Sequence, residues 1–328
     1  MQKRGSRSRS VAVAVRIAER SAHPLSISYP DQTLDARMER ALNHLTSFHD
    51  SDGGVSEVLA LGADAMPALA QILTRREPSG LFQARCRAVE ALAALKAFSV
   101  LGDFLRKRRD VADPVERLGD DAVVGAAARA IARLREPWVY ELLADLARHR
   151  PLQGILAGLG SFLCMDSLPV FVDALQEDHL RLTAEAILRG FGSKARPALM
   201  TAASEPGEGR EWESDSHLRK RRSALGILSE IGLRCRDWPR LRPLIEDPDH
   251  QIALLACEIG IKLGNAADRA RVAARLQALR PAAGWIHREQ IDELTKSVER
   301  DQRGSQAARQ QARVRHSCAN SRTVGKSE

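Results

Sequence analysis

Aromatic residues are scarce in this chain: 7 Phe, 4 Trp and 2 Tyr stand among 328 residues. A β-sandwich or barrel of such length draws on more aromatic and β-branched side chains. Ala, Leu and Arg dominate instead, and all three favour helix. No uninterrupted apolar run approaches the ~20 residues of a membrane-spanning helix. The five cysteines (Cys86, Cys164, Cys235, Cys257 and Cys318) are odd in number, far apart and never paired as Cys-x-x-Cys. That spacing excludes a zinc ribbon, a redox dithiol and a disulfide framework, and predicts free thiols in a reducing cytoplasm. There is no Gly-rich phosphate loop and no Gly-x-Ser-x-Gly elbow. No nucleophile, base and orienting group can be named together, so no catalytic residue, cofactor or metal is expected.

What is present is charge, unevenly placed. The formal net charge is +8. Residues 1–20 hold six cations against Glu19, a sum of +5, and residues 299–328 hold seven cations against three acids, a sum of +4. The remaining body therefore sums to −1. The basic pI belongs to the tails and implies no basic groove in the body. At the N-terminus, Val11–Val15 is cut by Arg16, too short for a secretory core of roughly 7–15 apolar residues. Residues 1–33 read as a basic, disordered tail, residues 34–280 as the folded body, 281–303 as a capping helix and 304–328 as a second basic, disordered tail.

The body is repetitive. Residues 155–160 read ILAGLG, 187–192 ILRGFG, 227–232 ILSEIG and 259–264 IGIKLG. Each has Ile, an apolar residue four places on, then Gly. Ala184, Ala224 and Ala256 stand three places before the Ile in three of them, with Leu152 in the fourth. These positions share one helix face, and the closing Gly suits a left-handed C-cap. Fainter copies end at Leu61, Leu95 and Leu134, and Lys96 and Arg135 stand where Gly would follow the last two. From Leu61 through Leu263 the steps are 34, 39, 25, 32, 40 and 32 residues, in the range of helix–turn–helix repeats. A Pro-led helix precedes the endings: GADAMPAL at 62–69, GSKARPAL at 192–199, LPVFVDAL at 168–175 and LRPLI at 241–245. Polar turns fall at Glu177-Asp178 and Asp247-Pro248-Asp249. Residues 204–217 read as an exposed loop, and 106–120 as a loop or interrupted helix. A final helix is expected through Ile291, Leu294 and Val298, with Trp285 packed at its start.

The Gly-x-x-Ala-x-Pro-Ala-Leu openings and Ala-x-x-Ile-x-x-x-Leu-Gly endings resemble the HEAT-repeat superfamily, in particular the short HEAT-like repeats of phycobilisome lyases, over roughly residues 55–265. The resemblance implies an all-α, right-handed α-α superhelix, a solenoid of about six to seven helix pairs. Such pairs bury their apolar stripes only by stacking. Among HEAT-like enzymes, the di-iron deoxyhypusine hydroxylases hold metal through His-Glu dipeptides, and none occurs here. The alkylpurine DNA glycosylases use aromatic and acidic residues in a basic cleft. Trp138, Tyr140 and Glu141 offer those types on a single helix start, which core packing explains better. A bilin lyase-like activity rests on fold analogy alone.

Two clusters invite a functional reading. In HLTSFHDSDGG, His44, His49, Asp50 and Asp52 offer metal-ligand types. The two histidines are five apart, however, and Leu61 occupies the twelfth place where a calcium loop carries Glu. The segment reads as a helix end and polar turn. The second cluster is cationic: Arg219, Lys220, Arg221 and Arg222 open one second helix, Arg85 and Arg87 another, and Arg181 a third. In the HEAT resemblance such arginines ladder with turn acids, as Asp178 does with Arg181, on second helices that line a concave face. Five acids between Glu205 and Asp215 are placed to fold back on the strip.

The sequence therefore predicts a non-enzymatic, cytoplasmic scaffold or adaptor, without membrane contact, that binds a protein partner of acidic character through these seven cations. A nucleic-acid-associated protein using the basic tails and the Arg strip is the alternative. Removing residues 1–20 and 304–328 is expected to leave the thermal midpoint unchanged and to weaken salt-sensitive DNA or RNA binding, read by melting and by fluorescence anisotropy. Equal nucleic-acid binding by the truncated body would contradict the tail assignment.

Overall fold

A computed structural model describes residues 33–47, 51–107, 110–205 and 213–300. Every regular element among them is helical. Of the two tails expected to be disordered, residues 1–32 and 304–328 lie outside the described residues, as do His49 and Asp50, while Thr33 is ordered as a helix cap. The chain divides into two compact units, one ending at Ala65 and the other beginning at Met66.

In the first unit, helix α1 (Leu34–Thr46) packs against α2 (Ser51–Leu61). Thr33 caps α1, its hydroxyl accepting from the Ala36 N–H at 3.4 Å. Ala41, Leu45 and Val58 fill the interface. A Cβ on Gly54 would collide with the Leu45 backbone, so the helices approach closely there. His44 is engaged by Glu57, Nδ1 lying 3.0 Å from a carboxylate oxygen. Among the described residues no three metal-ligating side chains converge. Residues 53–74 are long and apolar enough to cross a membrane by length and composition. The run nevertheless carries Glu57, Asp64 and Pro67, and breaks at Gly62, whose φ of +65° starts a 3-10 turn.

The described residues of the second unit form six helix pairs followed by two further helices. The first members are α3 (Met66–Thr74), α5 (Phe98–Arg106), α7 (Pro137–His149), α9 (Leu168–Asp173), α11 (Arg196–Ser204) and α13 (Trp238–Leu241). The second members are α4 (Gln83–Ala94), α6 (Pro114–Ile131), α8 (Gln153–Gly160), α10 (Asp178–Phe191), α12 (Asp215–Ile231) and α14 (His250–Leu263). Each second helix packs on the second helix of the next pair, so these six form a continuous row. The apolar stripes of both members meet between the layers, with Leu92, Ile131, Leu159, Leu188, Leu228 and Ile259 all buried. Helix α15 (Ala266–Leu279) packs on α14, and residues 285–300 form the last helix. Ile291 and Val298 are buried there as expected, but Trp285 is 77% exposed.

The caps follow from local chemistry. Asp113 accepts from the N–H groups of Val115 and Glu116 at 2.9 and 2.8 Å, with Pro114 at the first helical position. Helix α6 thus begins at residue 114, so the second half of segment 106–120 is helical. Asn265 and Asp268 form a capping box at α15. Gly192 and Gly232 have positive φ, as a glycine stop requires, and so do Lys96 (+58°) and Arg135 (+57°) at the positions where glycine is missing. The left-handed stop is kept without the residue that adopts it most easily. Gly160 and Gly264 are not left-handed. The left-handed residue after α8 is Leu163, while a Cβ on Gly160 would press on the Ile187 side chain at 2.6–2.9 Å. That glycine serves packing.

The short 25-residue step reflects the short α8, 8 residues long against 12–18 in the other second helices. Helices α6 and α8 cross where Gly125 faces Gly154, and a Cβ on Gly154 would overlap the Gly125 backbone. Gly154→Ala is expected to destabilise the protein by about 1–3 kcal/mol in denaturant unfolding, although Ala is favoured over Gly in helices by ~1 kcal/mol. A stabilised variant would show that the two backbones can separate freely.

Candidate partner-binding groove

Four of the seven cations expected to hold a partner turn out to have distinct structural tasks. Arg85 is only 4% exposed. Its Nε donates to the Leu73 carbonyl at the end of α3 (3.0 Å) and its terminal nitrogen to Asp120 of α6 (2.7 Å). Arg221, 3% exposed, does the same one block later. Its Nε donates to the Ala203 carbonyl near the end of α11 (3.2 Å), and its terminal nitrogens to Glu213 (2.6 Å) and to Asp247. Both guanidiniums are sealed inside the protein and offer no charge to a partner, which corrects their placement on a surface strip. Lys220 donates to Asp173 (2.7 Å). Arg222 grips Asp249 through two nitrogens, one at 3.1 Å. Arg87 is half-buried on α4.

The acids that answer residues 219–222 thus come mostly from neighbouring pairs, not from the preceding loop. Glu213 is the loop acid that takes part, bound to both Arg221 and His217. Residues 206–212, with Glu208 and Glu211, lie outside the described residues. Burial alone pushes the Asp249 carboxyl up, but the Arg222 hydrogen bond and the helix N–H groups of Ile252 and Gln251 outweigh it and leave the group below the usual carboxylate range. The Arg222 guanidinium is raised in turn by that hydrogen bond.

The remaining cations, Arg181 and Arg219, face a groove of about 410 Å³ between α10, α12 and α14. Arg189, Arg222, Glu185, Ser223 and Gly226 line it as well. Arg189 is fixed by two hydrogen bonds to Glu230, at 2.5 and 3.1 Å, which raise it and hold Glu230 below its ordinary value. The Ser223 hydroxyl donates to Glu185 at 2.7 Å. Arg181 and Arg219 are held far more loosely. Arg181 lies 3.7 Å from Asp178 and 3.5 Å from Glu185, and Arg219 lies 3.4 Å from Asp178.

Arg189, Glu185 and Glu230 were not singled out from the sequence, although the i,i+4 spacing of Arg181, Glu185 and Arg189 was visible. A stronger signal was present too. Counted back from the last apolar residue of each repeat (Leu95, Phe191 and Ile231), Arg85, Arg181 and Arg221 all stand ten places earlier. Ala88, Ala184 and Ala224, all buried, follow each by three.

The aromatic cluster set aside in the sequence is accounted for by packing between helices, half-buried rather than in the core. Trp138 lies under the Arg106 guanidinium (5.2 Å to the ring) and against Gly102. Tyr140 packs against Phe162, the rings tilted by 60° with centroids 5.7 Å apart. Burial, and then the neighbouring Cys164, push the Tyr140 hydroxyl up to about 12, so it stays protonated at neutral pH. The described thiols Cys86, Cys164, Cys235 and Cys257 are all unpaired. Burial raises Cys257 to about 12, so this thiol is a packing group and no nucleophile.

No family model matches the chain, and no curated protein does. Among solved structures, human deoxyhypusine hydroxylase in complex with glycerol is similar with a TM-score of 0.31 and 12% identity, over 88% of this chain and 99% of that one. A computationally designed self-assembling cyclic homo-oligomer is similar with a TM-score of 0.13 and 13% identity, over 81% and 92%. Neither likeness bears on what this chain does.

Replacing Arg221 with Met leaves the buried Asp247 without its cation and takes one of two partners from the half-buried Glu213. Denaturant unfolding should show a loss of about 3–5 kcal/mol, against less than ~1 kcal/mol for Lys220→Gln beside the exposed Asp173. Equal losses would mean that burial of Arg221 adds nothing to its role.

Proposed function

We propose that the chain is a non-enzymatic scaffold of the HEAT-like kind, and that it binds an acidic segment of a protein partner along the groove between α10, α12 and α14. The observation that carries this reading is the groove itself. Three consecutive second helices present one open, polar trough in which arginines outnumber acids. Its lining offers hydrogen-bonding and ion-pairing groups, with the Ser223 hydroxyl tied to Glu185 and neither histidine nor cysteine among the lining residues, which is the equipment of recognition. A trough that crosses several repeats is long enough to take an extended segment, and stacked repeats characteristically offer such surfaces.

The near-neutral body argues for a peptide over a nucleic acid, because a phosphate backbone needs a net positive track. Most groove arginines already answer a carboxylate. The unpaired thiols fit a reducing compartment such as the cytoplasm.

Gly226 lines the groove, and a Cβ there meets nothing within 4 Å. Gly226→Trp should therefore fold normally and fill the trough. A protein partner captured by the wild-type chain in the presence of nuclease is expected to be lost with Gly226→Trp. Capture that survives the substitution, or that disappears with nuclease in the wild type, would overturn the reading.

A further inference from the structure

The repeat register exposes a vacancy in the hydrogen bonding of one arginine. Arg85 and Arg221 occupy the same repeat position, and each satisfies its guanidinium twice over: with a carbonyl at the end of its own pair's first helix, and with a buried carboxylate brought by the next pair. Arg181 stands at that same position in α10. Its Nε is buried and has no hydrogen-bond partner. The acid just before the next second helix, Glu213, is already bound to Arg221 and His217. What Arg181 has instead is Asp178, one helical turn back, at 3.7 Å and 75% exposed, and Glu185, which Ser223 and Arg189 also claim. Arg219 of α12 reaches the same Asp178 oxygen from the other side, at 3.4 Å. Neither arginine makes a hydrogen bond to the side chains around it within the described residues, whereas Arg189 and Arg222 beside them are each held through two.

From this contrast we infer that Arg181 and Arg219 form a carboxylate clamp, which takes an Asp or Glu side chain of an acidic peptide lying in the groove. The inference rests on the groove reading above and names its anchor. The incoming carboxylate supplies to Arg181 the partner that Asp120 supplies to Arg85. A carboxylate between two guanidinium forks accepts several charge-assisted hydrogen bonds at once. Asp178 is the resident competitor. It is held by long ion pairs alone and points largely into solvent, so it yields its place at small cost. Arg189 and Arg222 are spoken for and shape the walls.

The clamp is tested with hexaglutamate, titrated against the full chain at low salt and read by calorimetry. Saturable binding is expected, about tenfold weaker in Arg181→Gln and in Arg219→Gln. Asp178→Asn removes the competitor and should tighten binding about threefold. Arg271→Gln, an exposed cation paired with Glu246 outside the groove, controls for general loss of charge and should leave the affinity within twofold. Arg181 and Arg219 make only long, part-exposed ion pairs, so melting curves of both variants should overlay the wild type. Three results would each overturn the clamp: no saturable binding, an equal loss in Arg271→Gln, or weaker binding in Asp178→Asn. A single-stranded oligonucleotide that binds more tightly than hexaglutamate, with the same dependence on Arg181 and Arg219, would overturn the acidic-peptide assignment. In any of these cases a partner still displaced by Gly226→Trp would keep the groove reading while the clamp fell.

Discussion

A guanidinium wedged between a helix end and a carboxylate of the next pair is the connection on which this array depends. Apolar stripes make neighbouring pairs adhere, but a stripe of Ala, Leu and Ile tolerates sliding. Arg85 and Arg221 do not. Their Nε atoms are committed to the Leu73 and Ala203 carbonyls, groups that a helix end leaves unsatisfied. Their other nitrogens are committed to Asp120 and Asp247. The fork fixes distance and angle together, which the single ammonium of a lysine would not. Burying such charges is costly unless every donor and acceptor is matched, so these positions select one stacking arrangement.

The groove owes its character to where that arrangement is incomplete. Arginines recur along α10 and α12 at helical spacing, yet they are not alike. Arg189 and Arg222 are absorbed into the walls by Glu230 and Asp249, while Arg181 and Arg219 share one solvent-facing carboxylate. The chemistry of the trough is set by which cations the fold consumes.

Much of the fold was legible because helical repeats write their rules locally. The Ile–apolar–Gly endings and Pro-led openings mark real helix ends and starts, and Lys96 and Arg135 stop their helices in the left-handed conformation that the pattern implied for glycine. Three features were hidden. Gly160 looked like another stop, but its lack of a side chain is required by Ile187 across the interface. Trp285 looked like a core residue, since nothing in a sequence says whether another surface faces it. The burial of Arg85 and Arg221 escaped notice because their carboxylates lie 35 and 26 residues away, whereas Asp178 beside Arg181 was close enough to suggest a pair and is the weak one. Local spacing reveals neighbours along a helix and is silent about the neighbours that stacking brings.

Unequal ties between pairs also set how the array moves. In a linear stack, opening proceeds at the weakest junction between adjacent pairs. The first two pairs share the sealed Arg85 tie, and the last two share that of Arg221. Between the fourth and fifth pairs the side-chain ties include Arg189–Glu230, Lys220–Asp173 and Arg219–Asp178, which reach the surface, where water and ions compete for them, and the part-buried Ser223–Glu185. The groove lies across that junction, so a segment seated there would tie the two pairs together from outside.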